Sequence, residues 1–315
     1  MKHLDNEIKA QWHNRSLNKL SIQSTEIGFG RSWRNKNAVS PTSVDTQPSL
    51  AFCDSPINEE VGKYKTILVT TEDKITKIML NRPDKKNAIN LVMYEEIMQE
   101  LDEAAKDDST LTVITGCGDY FSSGNDLKNF AENLDEIMQN GEKLLVKFIC
   151  RFVDFPKPLV AMVNGPAIGI AATLLGLCDV VYATDKATIQ TPFSQLGLSP
   201  EGCSSYTFPK IMGPAKANEM LLFNKKITAD EACTRGLVTE VFADSTFQRQ
   251  VWTRLKAYAN LPKNSLAISK QLMRSVEKEI LHAVSVQESK LLRKSFFSDI
   301  CLNVIQSFFQ KRSKL

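Results

Sequence analysis

Short apolar segments alternate with longer amphipathic segments along most of the chain, and the two patterns predict strands and helices, respectively. Four apolar segments have the length of strands, at residues 66–70, 75–80, 111–115 and 158–163. Asn90 is a suitable N-cap for a helix from Leu91 to about Lys106, and a second long helix is predicted over 135–155. Two more strands are predicted at 179–183 and 188–190. Strands that alternate with helices predict an α/β fold with a parallel, crossover-connected sheet.

The two ends of the chain differ from this central region. Beyond Gly213 the pattern is mostly helical, at 215–223, at 229–235 and from 247 to 309, with one predicted strand at 238–242. Residues 1–60 have few large apolar side chains in any period, and Ser, Thr, Pro and Asp become frequent towards their end. We therefore predict a flexible extension or linker at 1–60, a core at 61–245 and a C-terminal helical region at 246–312.

Composition narrows the classes of function. A net charge of +3 on 315 residues is too small to indicate a nucleic-acid partner, and no apolar run has the length of a membrane span. The seven cysteines are scattered without a C-x-x-C pair, which favours free thiols in a reducing compartment. Because His3, His13 and His282 are far apart in the sequence, no His-based metal site is expected.

Two glycine turns follow two of the predicted strands. The sequence VNGPAIGIAATLLGLCD at 163–179 predicts a strand, a turn and a buried helix that begins near Gly169, and YFSSGND at 120–126 predicts the other turn. The first backbone N–H groups of a helix lack internal partners. If N–H groups from both turns converge, they form an oxyanion hole, in which each donor supplies roughly 3–4 kcal/mol of transition-state stabilisation. The alternative is a core helix that packs through its small residues.

Glu201 is the one carboxylate in the segment PFSQLGLSPEG at 192–202, and an apolar helix is predicted to follow it. Apolar surroundings raise the pKa of a carboxyl group towards the value that a general base needs. The alternative is a charge at the N-terminus of that helix that faces the positive end of its dipole.

Four ordered motifs carry a resemblance to a known family. They are NRPDKKNAIN at 81–90, YFSSGNDL at 120–127, FPKPLVAMVNGPAIGIAATLLGLCD at 155–179 and TPFSQLGLSPEGCSSYTFPKIMG at 191–213. Through them, residues 63 to about 310 resemble the crotonase (enoyl-CoA hydratase/isomerase) superfamily, and within it the peroxisomal Δ3,Δ2-enoyl-CoA isomerases. The resemblance implies a β-β-α spiral core with a C-terminal helical region that forms a homotrimer.

The resemblance also implies roles for individual residues. The backbone N–H groups of Asn125 and Ile170 would bind the thioester oxygen of a fatty 3-enoyl-CoA, and Glu201 would carry a proton from C2 to C4. The implied substrate-binding residues are Lys85, Lys86, Ala88, Ser122, Ser123, Gly124, Asn125, Asp126, Leu127 and Gly169. The two lysines would offset phosphate charge, unless they belong to a solvated turn. No metal or redox cofactor is expected, because coenzyme A is part of the substrate.

Two neighbouring functions are weighed against the isomerase. Hydratases of the superfamily use two glutamates, and their positions hold Thr173 and a residue near Phe193 here, so we expect poor hydration. Dienoyl isomerases would place further acids in the pocket, and the sequence indicates none. A thioester hydrolase and a non-catalytic acyl-CoA-binding or interaction protein on the same fold are the remaining alternatives. Glu201 is the residue that argues against the non-catalytic one.

The tripeptide Ser313-Lys314-Leu315 matches the address that the peroxisomal import receptor binds. A solvated basic tail is the alternative interpretation. We therefore expect the peroxisomal matrix as the location, in preference to the mitochondrion.

Overall fold

The computed structural model describes residues 63–301 and 303–304. The predicted extension at 1–60 and the tripeptide at 313–315 lie outside the described residues, as does the end of the predicted C-terminal helical region. No helix in the described part of the chain is long and apolar enough to cross a membrane.

Two sheets organise the described residues. The nine strands found there are β1 (Ile67–Glu72), β2 (Ile75–Leu80), β3 (Leu111–Gly116), β4 (Leu159–Val163), β5 (Ala167–Ile168), β6 (Val180–Thr184), β7 (Thr188–Gln190), β8 (Ile227–Thr228) and β9 (Glu240–Phe242). The larger sheet has the order β1-β2-β3-β4-β6-β9 and is parallel except for the β1–β2 hairpin, whose turn residues Asp73 and Lys74 have positive φ. The smaller sheet has the order β5-β7-β8. The predicted parallel α/β fold is confirmed.

Ten α-helices have bounds within the described residues, and some of them cover the two faces of the larger sheet. They are α1 (Leu91–Ala104), α2 (Leu127–Glu132), α3 (Leu134–Asp154), α4 (Ile170–Thr173), α5 (Ser204–Met212), α6 (Pro214–Leu221), α7 (Ala229–Thr234), α8 (Asp244–Ala259), α9 (Lys263–Ser275) and α10 (Lys278–Phe296). The main core lies between the sheet and α1 and α3, and α8 covers a smaller core on the opposite face. The long helix α10 packs along α3 and also meets α5.

Several element boundaries differ from the sequence prediction. The helix after Gly169 is only four residues long, and the chain continues as a 3-10 turn to Leu177. The strand Ile227–Thr228 was not predicted, because two residues are too few to show an alternating pattern. The predicted helical span from 247 begins at Asp244 and is interrupted at Pro262, which cannot donate a backbone hydrogen bond.

Candidate active site

The two glycine turns are in direct contact through their main chains. Ser122 N donates to Pro166 O at 3.2 Å, and Ile168 N donates to Ser122 O at 3.0 Å. A Cβ atom on Gly124 would lie 2.5 Å from Ile168 O, and the φ of Gly124 is +82°. Only glycine therefore fits at this junction without displacing the second turn.

Each turn contains a backbone N–H group that makes no hydrogen bond to any described residue. Among the described residues, neither Asn125 N nor Ile170 N has a hydrogen-bond acceptor, although the neighbouring N–H groups of Gly124, Asp126 and Gly169 all do. Ile170 is the first residue of α4, and Gly169 before it has a φ of +61°. Two unpaired donors on touching turns are the arrangement that an oxyanion requires.

Glu201 lies beside these turns and is only 3% exposed. Its Oε1 accepts a hydrogen bond of 3.2 Å from Asn125 Nδ2, while its Oε2 has no partner within the described residues. Burial, reinforced by the nearby Glu288 carboxylate, raises the pKa of Glu201 to about 8, although the Asn125 hydrogen bond acts in the opposite direction. A carboxyl group with this pKa is suited to accept a proton near neutral pH.

Tyr94, one of the buried residues of α1, completes this group. Tyr94 OH donates to Asn125 Oδ1 at 2.7 Å, which directs the Asn125 amide N–H₂ group towards Glu201. The Tyr94 pKa is well above its ordinary value because of burial and the Glu201 charge, so the phenol remains a donor. A helical stripe predicts that a tyrosine is buried, but not what its hydroxyl contacts.

Glu201 is not the residue that caps the following helix. The backbone N–H groups of Cys203 and Ser205, at the beginning of α5, donate to Glu288 at 2.7 and 2.8 Å. Glu288 belongs to α10 and was not singled out by the sequence. The alternative interpretation of Glu201, as a charge that faces the helix dipole, therefore does not describe this structure.

Two cavities meet at Asn125 and Leu127. A narrow cavity of about 80 Å³ has mostly apolar walls from α3 and α10 and includes Tyr94 and Glu201. A wide cleft of about 1170 Å³ lies on the other side. The predicted binding residues in that cleft are Lys85, Lys86, Ala88, Ser123, Asn125, Asp126 and Leu127. The site thus joins a small apolar compartment to a large cleft that several charged side chains line.

The remaining predicted residues have other surroundings. Ser122, Gly124, Gly169 and Ile170 lie behind the cavity walls, where they form the junction of the turns. Asp126 lines the cleft but also caps α2, accepting from Asn129 N at 3.2 Å, and pairs with Arg82 at 3.0 Å.

The hydratase positions and the other acids can also be located. Thr173 and Phe193 are buried. The prediction that the pocket holds no further acid is wrong. Glu142 lines the narrow cavity, and Glu288 raises the pKa of Glu201.

Comparisons with known proteins show which family the chain resembles. The enoyl-CoA hydratase/isomerase family matches residues 70–314. The chain is 61% identical over 256 residues to human enoyl-CoA delta isomerase 2, a match that covers 80% of this chain and 65% of that protein. It is 52% identical over 260 residues to mouse peroxisomal enoyl-CoA delta isomerase 3, with 82% of each protein covered.

Solved structures show the same fold. The crystal structure of an enoyl-CoA hydratase/isomerase from Pseudoalteromonas atlantica T6c aligns with a TM-score of 0.73 and 33% identity, over 78% of this chain and 98% of that one. The chain spans 65% of the length of its human relative, so the match concerns the region shared by both. With its parallel sheet, its two touching glycine turns and these relatives, the chain belongs to the enoyl-CoA hydratase/isomerase (crotonase) family.

Proposed function

We propose that the protein isomerises 3-enoyl-CoA, cis or trans, to trans-2-enoyl-CoA in the breakdown of unsaturated fatty acids. The observation that carries this proposal is one buried carboxyl group, Glu201, with a raised pKa beside the unpaired N–H groups of Asn125 and Ile170. The names of the human and mouse relatives, both enoyl-CoA delta isomerases, support it.

The reaction needs one base and one oxyanion hole. The N–H groups of Asn125 and Ile170 bind the thioester oxygen, and Glu201 removes a proton from C2. Negative charge then develops on that oxygen as the enolate forms, where the two donors stabilise it. Glu201, now protonated, returns the proton at C4, and the double bond becomes conjugated with the thioester. The Asn125 side chain holds Glu201 in place during both transfers.

The two cavities fit the two ends of the substrate. Coenzyme A occupies the wide cleft, where Lys85 and Lys86 offset its phosphate charge, and the acyl chain enters the narrow apolar cavity. No separate cofactor takes part in this scheme, because coenzyme A arrives with the substrate.

The assembly and location belong to the same proposal. We assign a homotrimer built through the C-terminal helices, since α9 and the turn after it expose Ile268, Leu272, Met273 and Val276. Light scattering that gives the mass of one chain would contradict the trimer.

We assign the protein to the peroxisome because the name of the mouse relative includes the word peroxisomal. A reporter that ends in residues 304–315 and stays in the cytosol would argue against import through the tripeptide.

The test is a direct assay. Purified protein receives a 3-enoyl-CoA, and the rise in absorbance of the conjugated 2-enoyl thioester is followed for the wild type, Glu201→Gln and the matched control Glu240→Gln. Glu240 is a partly exposed glutamate that pairs with Arg254 and lines neither cavity. Turnover that is lost in Glu201→Gln alone supports the proposal. Turnover that persists in Glu201→Gln would show that another residue is the base. If the wild type binds acyl-CoA tightly without turnover, the result supports the binding-protein alternative.

The same preparation tests hydration. With no acid at Thr173 or Phe193, the protein should hydrate a 2-enoyl-CoA far more slowly than it isomerises a 3-enoyl-CoA. Comparable rates of the two reactions would contradict the assignment.

A further inference from the structure

Glu288 is a buried carboxylate that the mechanism above does not use. It lies on α10 and is 5% exposed, and no lysine, arginine or histidine pairs with it within the described residues. Burying a carboxylate without a cation costs free energy, so other polar groups must bind its oxygens. Its two oxygens accept one backbone hydrogen bond each, from Cys203 N at 2.7 Å and from Ser205 N at 2.8 Å.

These two hydrogen bonds hold the segment that carries Glu201. Directly after Glu201 the chain turns through Gly202, with a φ of +72°, and Cys203, with a φ of +59°, before α5 begins at Ser204. A positive φ is unfavourable for cysteine, so this turn needs support from its surroundings. On the other side, a Cβ on Gly202 would lie 2.2 Å from Thr173 Oγ1, which leaves no space for the turn to relax.

The arrangement separates the roles of two neighbouring carboxylates. Unpaired N–H groups at a helix N-terminus stabilise a nearby anion and lower the pKa of a carboxyl group there. Glu288 accepts the N–H groups of Cys203 and Ser205. The Glu201 carboxylate accepts no backbone hydrogen bond, and its Oε2 has no partner among the described residues. Glu201 therefore remains basic although it is next to a helix beginning.

We infer that Glu288 is a positioning residue for the base Glu201: it clamps the Gly202–Cys203 turn and diverts the first N–H groups of α5 away from the Glu201 carboxylate. The inference rests on the proposed function, because it concerns the same base. The repulsion between the two carboxylates acts in the same direction, since it raises the pKa of Glu201. Burial also raises the pKa of Glu288 itself, although its hydrogen bonds from Ser205 and Cys203 act in the opposite direction. The repulsion therefore acts on Glu201 at pH values where Glu288 is ionised.

Burial raises the pKa of the Tyr94 phenol and of the Cys203 thiol, so both are neutral in the range of interest. Glu142 on α3 and Arg293 on α10 line the narrow cavity, and both are retained in every variant proposed here.

The experiment compares Glu288→Gln, Glu288→Asp and the matched control Glu279→Gln, an exposed glutamate on the same helix. In Glu288→Gln we expect kcat to fall about 10-fold or more with KM nearly unchanged, and the pH midpoint of kcat/KM to move down by about one unit. Glu288→Asp retains the charge and should keep the midpoint while kcat falls. The control should match the wild type in kcat, KM and midpoint.

Other outcomes overturn the inference. A Glu288→Gln variant that loses thermal stability and kcat but keeps the wild-type midpoint would make Glu288 a structural residue only. A second readout does not need turnover. The infrared band of the protonated Glu201 carboxyl group is identified as the band that the wild type has and Glu201→Gln lacks. Its intensity against pH gives the protonation of Glu201 directly. If the wild type fails to isomerise, the proposed function fails, and the infrared midpoint still decides the role of Glu288. An unchanged infrared midpoint in Glu288→Gln refutes it.

Discussion

Replacing Glu201 by Gln should abolish isomerisation and yet stabilise the folded protein at alkaline pH. The pKa of Glu201 is about 8 in the folded state, against an ordinary value of 4.5 for the unfolded chain. A raised carboxyl pKa means that the folded state holds its proton more tightly, so stability falls as the pH rises above 4.5. The fall is complete above about pH 8, where the difference in pKa corresponds to about 5 kcal/mol.

Chemical unfolding at several pH values measures this effect. Between pH 5 and pH 9, the free energy of unfolding of Glu201→Gln should rise relative to the wild type by about 4 kcal/mol. Hydrogen bonds that the Gln side chain makes or loses add a constant, which cancels in the comparison across pH. Protein concentration must be held fixed, because any oligomer links stability to concentration.

The matched control is Glu240→Gln, since the hydrogen bond from Arg254 lowers the pKa of Glu240. A lowered carboxyl pKa contributes stability that is lost only at acid pH, so the control should show no trend between pH 5 and pH 9. If Glu201→Gln also shows no trend, Glu201 ionises in the folded protein as easily as in the unfolded chain. The assignment of the base would then lose its physical basis.

Three further predictions follow from the site. The kcat/KM of the wild type should rise with pH and reach half its maximum near pH 8, where the Glu201 carboxyl group loses its proton, and a half-maximum near pH 5 would contradict this. Gly124→Ala would push a Cβ against Ile168 O and separate the two turns, so steady-state kinetics should give a kcat about 100-fold lower. Gly141→Leu would fill the narrow cavity that Gly141 lines. When substrates of increasing acyl-chain length are compared, kcat/KM should fall for long chains and stay at the wild-type value for short ones.

Much of the fold could be predicted because it depends on local signals. Asn90 was predicted to cap α1, and its side chain accepts from Met93 N at 2.9 Å. The strand Ile75–Leu80 was predicted with the bounds that the structure has, since an apolar segment between turn residues has few alternatives. The glycine motifs also indicated where two turns would lie, although only the structure brings Gly124 against Ile168.

The parts of the site that were missed depend on contacts between distant residues. Tyr94 and Glu288 lie 107 and 87 positions from Glu201 in opposite directions, and each looked like an ordinary helical residue. A hydrogen bond from Tyr94 to Asn125, or from Cys203 to Glu288, leaves no periodic pattern in the sequence. Their roles follow from the packing of α1 and α10 around the base.

The contact between the two glycine turns bears on how such a protein can evolve. The hydrogen bonds that join them, from Ser122 to Pro166 and from Ile168 to Ser122, run between main-chain atoms. Side chains on the walls of α3 and α10 can therefore be exchanged by mutation without moving the two donors. A lineage with this junction can acquire new acyl substrates one residue at a time and inherit the means of stabilising an enolate unchanged.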